Sequence, residues 1–210
     1  MKIAVFVSGR GSNLQAIIES QPYPEKVGIS FPENFIELIA VCSDKLDCKA
    51  FDIAKKFSIK SYSVGNKPGY ILYDELIDLL DKNHIDLIVL AGFLKIIPSN
   101  LLRKFEGKII NIHPALLPSF GGKGMYGMNV HKAVFESSAK VSGVTIHFVD
   151  ETYDTGKIIA QKCVDISTAK SPEDIASMVL DIEHQLLPYV IKKFAEDKIK
   201  RINNRVIIVN

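Results

Sequence analysis

The chain has 210 residues, of which 47% are apolar and 24% are charged, and this balance is typical of a globular protein rather than a disordered or fibrous one. Its 26 basic and 24 acidic residues give a formal net charge of +2, without the dense basic stripe that indicates a nucleic-acid partner. No apolar run approaches the roughly 18 residues that span a bilayer, so no membrane partner is expected.

The cysteines argue against a disulfide framework and against a structural metal site. Cys42, Cys48 and Cys163 form neither a CxxC pair nor a zinc-finger spacing with histidine. The short apolar run that follows Met1 is too short for a secretory signal. We therefore expect reduced thiols, no metal and a cytoplasmic location.

Predicted strands and helices alternate through the first half of the chain. Lys2–Val7 is a continuous apolar run rich in β-branched residues, which predicts a strand buried on both faces. The segment Ser8–Ser12 interrupts it, and helical spacing follows, with Ser12 or Asn13 as the predicted N-cap. After a surface insertion at Gln21–Asn34 we predict strand Phe35–Cys42, helix Cys48–Phe57, strand Ile59–Tyr62, helix Tyr70–Lys82 and strand Asp86–Leu90.

The second half departs from this alternation. A glycine-rich loop at Gly121–Gly127 is expected to be functional or mobile, because long loops in compact domains usually are. The predicted fold is α/β, a single domain over residues 1–210, with a Rossmann-like, mostly parallel central sheet, helices on both faces and a mixed C-terminal part. The predicted elements here are helix Ser99–Phe105, strand Lys108–His113, helix Val130–Ser137, strands Val141–Val149 and Lys157–Val164, helix Pro172–Ala195 and a terminal hairpin at Lys198–Val209.

The glycine-rich turn after the first strand is a candidate anion site. Backbone N–H groups converge at such a strand-to-helix turn, and the helix dipole adds partial positive charge, which together favour phosphate. The alternative is that Gly9 and Gly11 only allow a tight turn. Leu14 occupies the position of the third glycine of a dinucleotide fingerprint, so a phosphomonoester fits better, although Asp44 keeps a dinucleotide alternative open.

Asn111 and His113 are the first candidates for catalysis. Residues two apart on a strand project to the same face, so both side chains leave the end of the predicted strand together. An amide that stabilises an oxyanion beside an imidazole that moves a proton meets the needs of acyl transfer to an amine. A structural role for a single histidine is the alternative at this point.

The predicted link between the two late strands, Asp150–Gly156, is dense in carboxylates. One interpretation is a solvated turn. The other is that one of its carboxylates lies beside His113, which would raise the pKa of that imidazole.

Four segments together carry a resemblance to a known family: Ser8–Ile17, Ala91–Phe93, Asn111–Pro118 and Gly143–Asp150. They resemble the phosphoribosylglycinamide formyltransferase family, folate-dependent enzymes of purine synthesis. The resemblance implies the formyltransferase fold and transfer of a formyl group from 10-formyltetrahydrofolate to the amine of N1-(5-phosphoribosyl)glycinamide, without a metal.

The same resemblance implies roles for individual residues. His113 would be the general acid, Asn111 would hold the formyl oxygen, and Asp154 would orient His113 and raise its pKa. The substrate phosphate would be bound at Gly11, Ser12 and Asn13, and its ribose by Glu183. The folate would lie along Leu94, Lys95, Ile96, Ile97, Asn111, Asp150, Glu151, Thr152, Tyr153 and Asp154.

Some positions stay open under this resemblance. Leu94, Ile96 and Ile97 are equally typical of a plain core. Many family members contact folate through an arginine shortly before the third helix, where this chain has Lys67 and Tyr70 nearby, so that contact is not assigned. The remaining histidines of the second half are interpreted as structural or supporting, namely His131, His147 and His184.

Two alternative functions are retained. The first is another folate-linked formyl-handling enzyme, although a methionyl-tRNA formyltransferase or a formyltetrahydrofolate deformylase would need a further domain. The second is a non-catalytic module that binds a nucleotide or folate, which the presence of Asn111, His113 and Asp154 disfavours. Small-molecule substrates are the expected partners, and the protein is expected to be a monomer or homodimer.

Overall fold

The computed structural model describes residues 1–21 and 35–209, which form a seven-stranded sheet with helices on both faces and a separate hairpin. The sheet contains β1 (Lys2–Val7), β2 (Glu37–Ser43), β3 (Lys60–Ser63), β4 (Leu87–Leu90), β5 (Ile109–His113), β6 (Val141–Phe148) and β7 (Ile158–Asp165). Their spatial order is β3-β2-β1-β4-β5-β6-β7, in which β6 runs antiparallel to both of its neighbours, β5 and β7, and the other six strands run in one common direction. The predicted mostly parallel sheet with a mixed C-terminal part is confirmed.

The central strand β1 explains why its sequence shows no alternation of polar and apolar residues. Ile3, Val5 and Val7 enter the core on one face of the sheet, and Ala4 and Phe6 enter the core on the other. Side chains alternate between faces along a strand, so a strand covered on both faces needs apolar residues at every position.

Helices cover both faces of the sheet, as predicted. Buried side chains of four helices pack on the Ile3 side of β1, and those of the other two pack on the Phe6 side. The first four are α1 (Ser12–Glu19), α2 (Ala50–Lys56), α5 (Met128–Glu136) and α6 (Pro172–Ala195), and the other two are α3 (Tyr73–Lys82) and α4 (Ser99–Lys104).

The predicted terminal hairpin is confirmed as β8 (Ile199–Ile202) paired with β9 (Arg205–Ile208). The guanidinium of Arg201 lies 4.2 Å from the centre of the Phe148 ring, a cation–π contact that attaches the hairpin to the end of β6.

The predicted N-cap of α1 was wrong. The cap is Gly11, with φ of 82° and no side-chain hydrogen bond, and neither Ser12 nor Asn13 caps the helix. A Cβ atom at Gly11 would lie 2.8 Å from the Cβ of Ala50, so the positive φ and the close approach of α2 both require glycine there.

The start of α3 also differs from the prediction. Ile71 is held extended because its N–H bonds to Ser63 O and its carbonyl accepts from Gly65 N, so the helix begins at Tyr73 rather than Tyr70. The predicted insertion Gln21–Asn34 lies outside the described residues except for Gln21.

Candidate active site

A cavity of about 660 Å³ opens at the carboxyl ends of β4 and β5. Three parts of the chain form much of its wall: the segment after β4, the link between β6 and β7, and the glycine-rich loop before α5. Parallel sheets bind ligands at the carboxyl ends of their strands, so the cavity lies where this architecture favours a site.

Strand β5 brings Asn111 and His113 into this cavity, as the period of two predicted. His113 is buried, with 3% of its surface exposed, and Asn111 is half-buried. The two candidate groups for acyl transfer therefore lie on one wall of the same cavity.

Asp154 also lies in the cavity, beside His113. One of its carboxylate oxygens is 3.6 Å from His113 Nδ1, and it accepts a hydrogen bond of 2.9 Å from the backbone N–H of Gly122. The other oxygen is 3.5 Å from His147 Nε2. Asp154 has a φ of 58°, a left-handed conformation that aspartate tolerates better than most residues. The carboxylate thus joins two imidazoles to the glycine-rich loop.

The pKa of His113 is lower than that of a free imidazole, although Asp154 acts to raise it as predicted. Burial is the largest cause, and it outweighs the attraction of the Asp154 carboxylate and the hydrogen bond to Phe120. Asp154 acts in the predicted direction, but the imidazole is too deeply buried for a net increase.

Asp154 itself has a lowered pKa. Burial opposes ionisation, but the neighbouring His147 ring, the hydrogen bond from the Gly122 N–H and the attraction of His113 together outweigh it. The carboxylate is therefore ionised at neutral pH.

The second ring nitrogen of His113 also has a partner. Nε2 lies 2.8 Å from the carbonyl oxygen of Phe120, a residue with a φ of 55° just before the glycine-rich loop. Nε2 of His113 thus has a hydrogen-bond partner in Phe120, whereas Nδ1 faces the Asp154 carboxylate at ion-pair distance, so that carboxylate favours the protonated ring by charge attraction.

His147 contributes directly to the site. The sequence had indicated only a structural or supporting role for this residue. Its Nδ1 lies 2.8 Å from the Phe148 carbonyl and must donate there, which leaves Nε2 of the neutral ring as an acceptor. The Asn111 amide nitrogen is 3.1 Å from that Nε2. His147 therefore fixes the orientation of the Asn111 amide. The missing signal was the register of the antiparallel pair β5–β6, which places these two residues opposite each other.

At the other end of the cavity, Asn13 on α1 meets Glu183 on α6. The Asn13 amide donates a hydrogen bond of 2.7 Å to the Glu183 carboxylate across 170 positions of sequence. Burial raises the pKa of Glu183 to about 7, although the Asn13 hydrogen bond acts in the opposite direction. The side-chain carbonyl oxygen of Asn13, Oδ1, is buried without a hydrogen-bond partner among the described residues.

The first turn of α1 has free backbone donors. Its first intrahelical bond runs from Gln15 N to Gly11 O, so the N–H groups of the preceding helical residues have no acceptor within the helix. Gly11 and Ser12 do not line the cavity, whereas Asn13 does.

All residues predicted to bind folate line the cavity. Leu94 and Ile96 are 42% and 56% exposed, so they are not core residues, whereas Ile97 is buried. Asp150 organises the link between β6 and β7 by accepting hydrogen bonds from Thr152 N and Thr155 Oγ1. Residues 122–127 of the glycine-rich loop also line the cavity, whereas Lys67 and Tyr70 do not.

Two further observations concern metals and membranes. Within residues 1–21 and 35–209, no group of three or more histidine, cysteine, aspartate or glutamate side chains is arranged to hold a metal ion. In the same part of the chain, no helix is both long and apolar enough to cross a membrane.

Comparison with known proteins gives the family. Residues 1–191 match the formyl transferase family. The chloroplastic phosphoribosylglycinamide formyltransferase of Arabidopsis thaliana is 43% identical over 208 residues, covering 95% of this chain and 67% of the relative. The chain spans only 62% of the corresponding protein of Vigna unguiculata, which is 42% identical to it.

A bacterial relative and a solved structure match over nearly their full length. The phosphoribosylglycinamide formyltransferase of Bacillus subtilis is 38% identical over 199 residues, covering 91% of this chain and 93% of the relative. The crystal structure of the enzyme so named from Anaplasma phagocytophilum superposes with a TM-score of 0.85 at 31% identity, covering 100% of this chain and 93% of that one. This chain therefore belongs to the formyl transferase family.

Proposed function

We propose that this protein is an enzyme that transfers the formyl group of 10-formyltetrahydrofolate to the amine of N1-(5-phosphoribosyl)glycinamide, a step of purine synthesis. The observation that carries the proposal is the convergence of Asn111, His113 and Asp154 in one cavity. The names of the relatives favour this reaction over the other formyl-handling reactions and over a non-catalytic binding module.

Formyl transfer requires charge stabilisation at the formyl oxygen. Attack of the amine lone pair on the formyl carbon forms a new C–N bond and moves negative charge onto that oxygen. Because one N–H of the Asn111 amide is directed at His147, its second N–H is available for the oxyanion. Asn111 is thus the proposed oxyanion donor, with His147 as the group that orients it.

The reaction also requires movement of a proton. Breaking the bond between the formyl carbon and N10 of the folate leaves that nitrogen in need of a proton, while the attacking amine must lose one. His113 is the proposed general acid, and the ionised Asp154 carboxylate orients its ring and opposes the effect of burial. In this structure His113 Nε2 lies at hydrogen-bond distance from the Phe120 carbonyl oxygen. For Nε2 to transfer a proton to the substrate, a hydrogen bond to the substrate must replace the one to Phe120.

The phosphoribosyl group is assigned to the end of the cavity formed by α1 and α6. Free N–H groups at Gly11, Ser12 and Asn13 and the dipole of α1 favour the phosphate. Glu183 beside Asn13 is positioned to accept hydrogen bonds from the ribose hydroxyl groups.

The folate is assigned to the apolar end of the same cavity. Exposed apolar side chains at Leu94 and Ile96 offer a surface for a flat pterin ring, and the link Asp150–Asp154 offers backbone hydrogen-bonding groups opposite. Lys95, Ile97 and Asn111 complete the proposed contacts. No metal enters this scheme.

An absorbance assay of the purified protein with formyl-folate and phosphoribosylglycinamide tests the proposal directly. The matched control is ribosylglycinamide, which has the same amine and lacks the phosphate. We expect release of tetrahydrofolate that depends on the phosphorylated amine. Hydrolysis of formyl-folate without an amine acceptor would instead identify a deformylase, and ligand binding without turnover would identify a non-catalytic module.

Other proposals from the sequence concern the protein as a whole. We propose one domain over residues 1–210, a cytoplasmic location, and a monomer or homodimer without a nucleic-acid partner. Two plant relatives are named as chloroplastic proteins, so location is tested by imaging a tagged full-length chain. Light scattering of the purified protein tests assembly, and elemental analysis tests for a bound metal.

A further inference from the structure

Arg10 has no role in the scheme above, yet it lies beside the proposed phosphate site. It is on the turn between β1 and α1, it is exposed, and it lines the cavity together with Asn13 and Glu183. Among the described residues, no carboxylate forms an ion pair with it. Its guanidinium is therefore available to an anionic ligand.

Asn13 supplies an independent sign that a ligand binds at this end of the cavity. Only 8% of its surface is exposed, it lines the cavity, and its side-chain carbonyl oxygen is buried without a partner among the described residues. A buried polar atom without a hydrogen bond is costly, so such an atom on a cavity wall indicates a ligand that donates to it. A sugar hydroxyl group has the required chemistry.

The backbone around Arg10 leaves room for a ligand. A Cβ atom at Gly9 would have no neighbour within 4 Å, so open space lies on one side of Arg10. On the other side, Gly11 begins α1 without a side-chain cap, which leaves the first N–H groups of the helix unpaired within it. Of that first turn, Asn13 lines the cavity together with Arg10.

The charge of a phosphate monoester argues for a cation in addition to the helix. Such a group carries about −1.5 to −2 charges at neutral pH, whereas a helix N-terminus offers the equivalent of about +0.5. The planar guanidinium donates two parallel hydrogen bonds to phosphate oxygens, which an ammonium group does not match. We propose that Arg10 binds the phosphate of the substrate and determines specificity for the phosphorylated amine.

This inference rests on the proposed function, and it is tested with Arg10→Gln and Arg10→Lys. The matched control is Arg103→Gln, which removes the same charge from the exposed last turn of α4, outside the cavity. Calorimetry measures binding of phosphoribosylglycinamide and of ribosylglycinamide to each variant, and steady-state kinetics measures KM and kcat for the phosphorylated amine.

We expect Arg10→Gln to weaken binding of phosphoribosylglycinamide and to raise its KM by about 10- to 150-fold with little change in kcat, since charge-assisted hydrogen bonding to the phosphate is lost. Arg10→Lys should restore part of the affinity, because the charge is kept and the paired hydrogen bonds are lost. Arg103→Gln and all measurements with ribosylglycinamide should match the parent protein.

Two results would overturn the inference: parent-like affinity of Arg10→Gln for the phosphorylated amine, or an equal loss of affinity for both amines. Calorimetry separates this failure from failure of the proposed function. Phosphate-dependent binding that requires Arg10 without any formyl transfer would support the phosphate contact and reject the reaction. Formyl transfer by Arg10→Gln with parent KM would support the reaction and reject the contact.

Discussion

Replacement of Glu183 by glutamine should stabilise the protein at alkaline pH. Burial raises the pKa of Glu183 from 4.5 to about 7. A group whose pKa is higher in the folded state binds its proton more tightly when folded, so its contribution to stability is lost as pH rises from 4.5 to about 7. Glutamine has nearly the same shape and does not ionise, so it removes this loss.

The magnitude follows from the two pKa values of Glu183. At about 1.36 kcal/mol for each pH unit, the difference between 4.5 and about 7 corresponds to about 3 kcal/mol. About 2.5 kcal/mol of this develops between pH 5 and pH 8. As pH rises from 5 to 8, the free energy of unfolding of Glu183→Gln should therefore increase by about 2.5 kcal/mol relative to that of the parent.

Urea denaturation of both proteins at pH 5 and pH 8 measures this gain. Asp181→Asn is the control, because Asp181 is an exposed carboxylate two residues earlier on α6. Other groups that titrate in the interval affect parent and variant alike and cancel in the difference. If Glu183→Gln and the parent show the same pH dependence of stability, burial does not hinder ionisation of Glu183 and the reasoning fails.

Three further substitutions test the catalytic wall and its support. Asn111→Ala should lower kcat by about 100- to 1,000-fold because the oxyanion donor is lost, and a change confined to KM would instead indicate ground-state binding. Asp154→Asn should lower the pKa of His113 further, so the limb of the pH–rate profile that reports loss of its proton should move to lower pH; an unchanged profile would exclude this role. Gly156→Ala should lower the free energy of unfolding by at least about 2 kcal/mol in urea denaturation, because the added Cβ would overlap the Phe148 carbonyl, and parent stability would contradict the close approach.

Much of the fold follows from patterns that act over a few residues. The continuous apolar run of β1 predicted burial on both faces, and α6 begins and ends at the predicted residues Pro172 and Ala195. Its cap is also local, since Ser171 Oγ accepts from Asp174 N. The start of α1 was predicted less well because the requirement for Gly11 comes from Ala50 on another helix.

In the candidate site, too, some features follow from local spacing and others depend on contacts between distant parts of the chain. Asn111 and His113 were accessible to sequence reasoning because their two-residue spacing fixes a common face. The contact of Asn13 with Glu183 depends on packing of α1 against α6, and the resemblance indicated both residues without indicating their hydrogen bond. The net direction of the His113 pKa depends on burial, which a list of nearby charges does not reveal.

The turnover of His113→Ala is the most direct test of the central claim, that an imidazole held between Asp154 and the Phe120 carbonyl moves the proton in formyl transfer. The absorbance assay with formyl-folate and phosphoribosylglycinamide should show kcat lowered by about 100- to 10,000-fold, with both substrates still bound. A variant that keeps the turnover of the parent would contradict the claim.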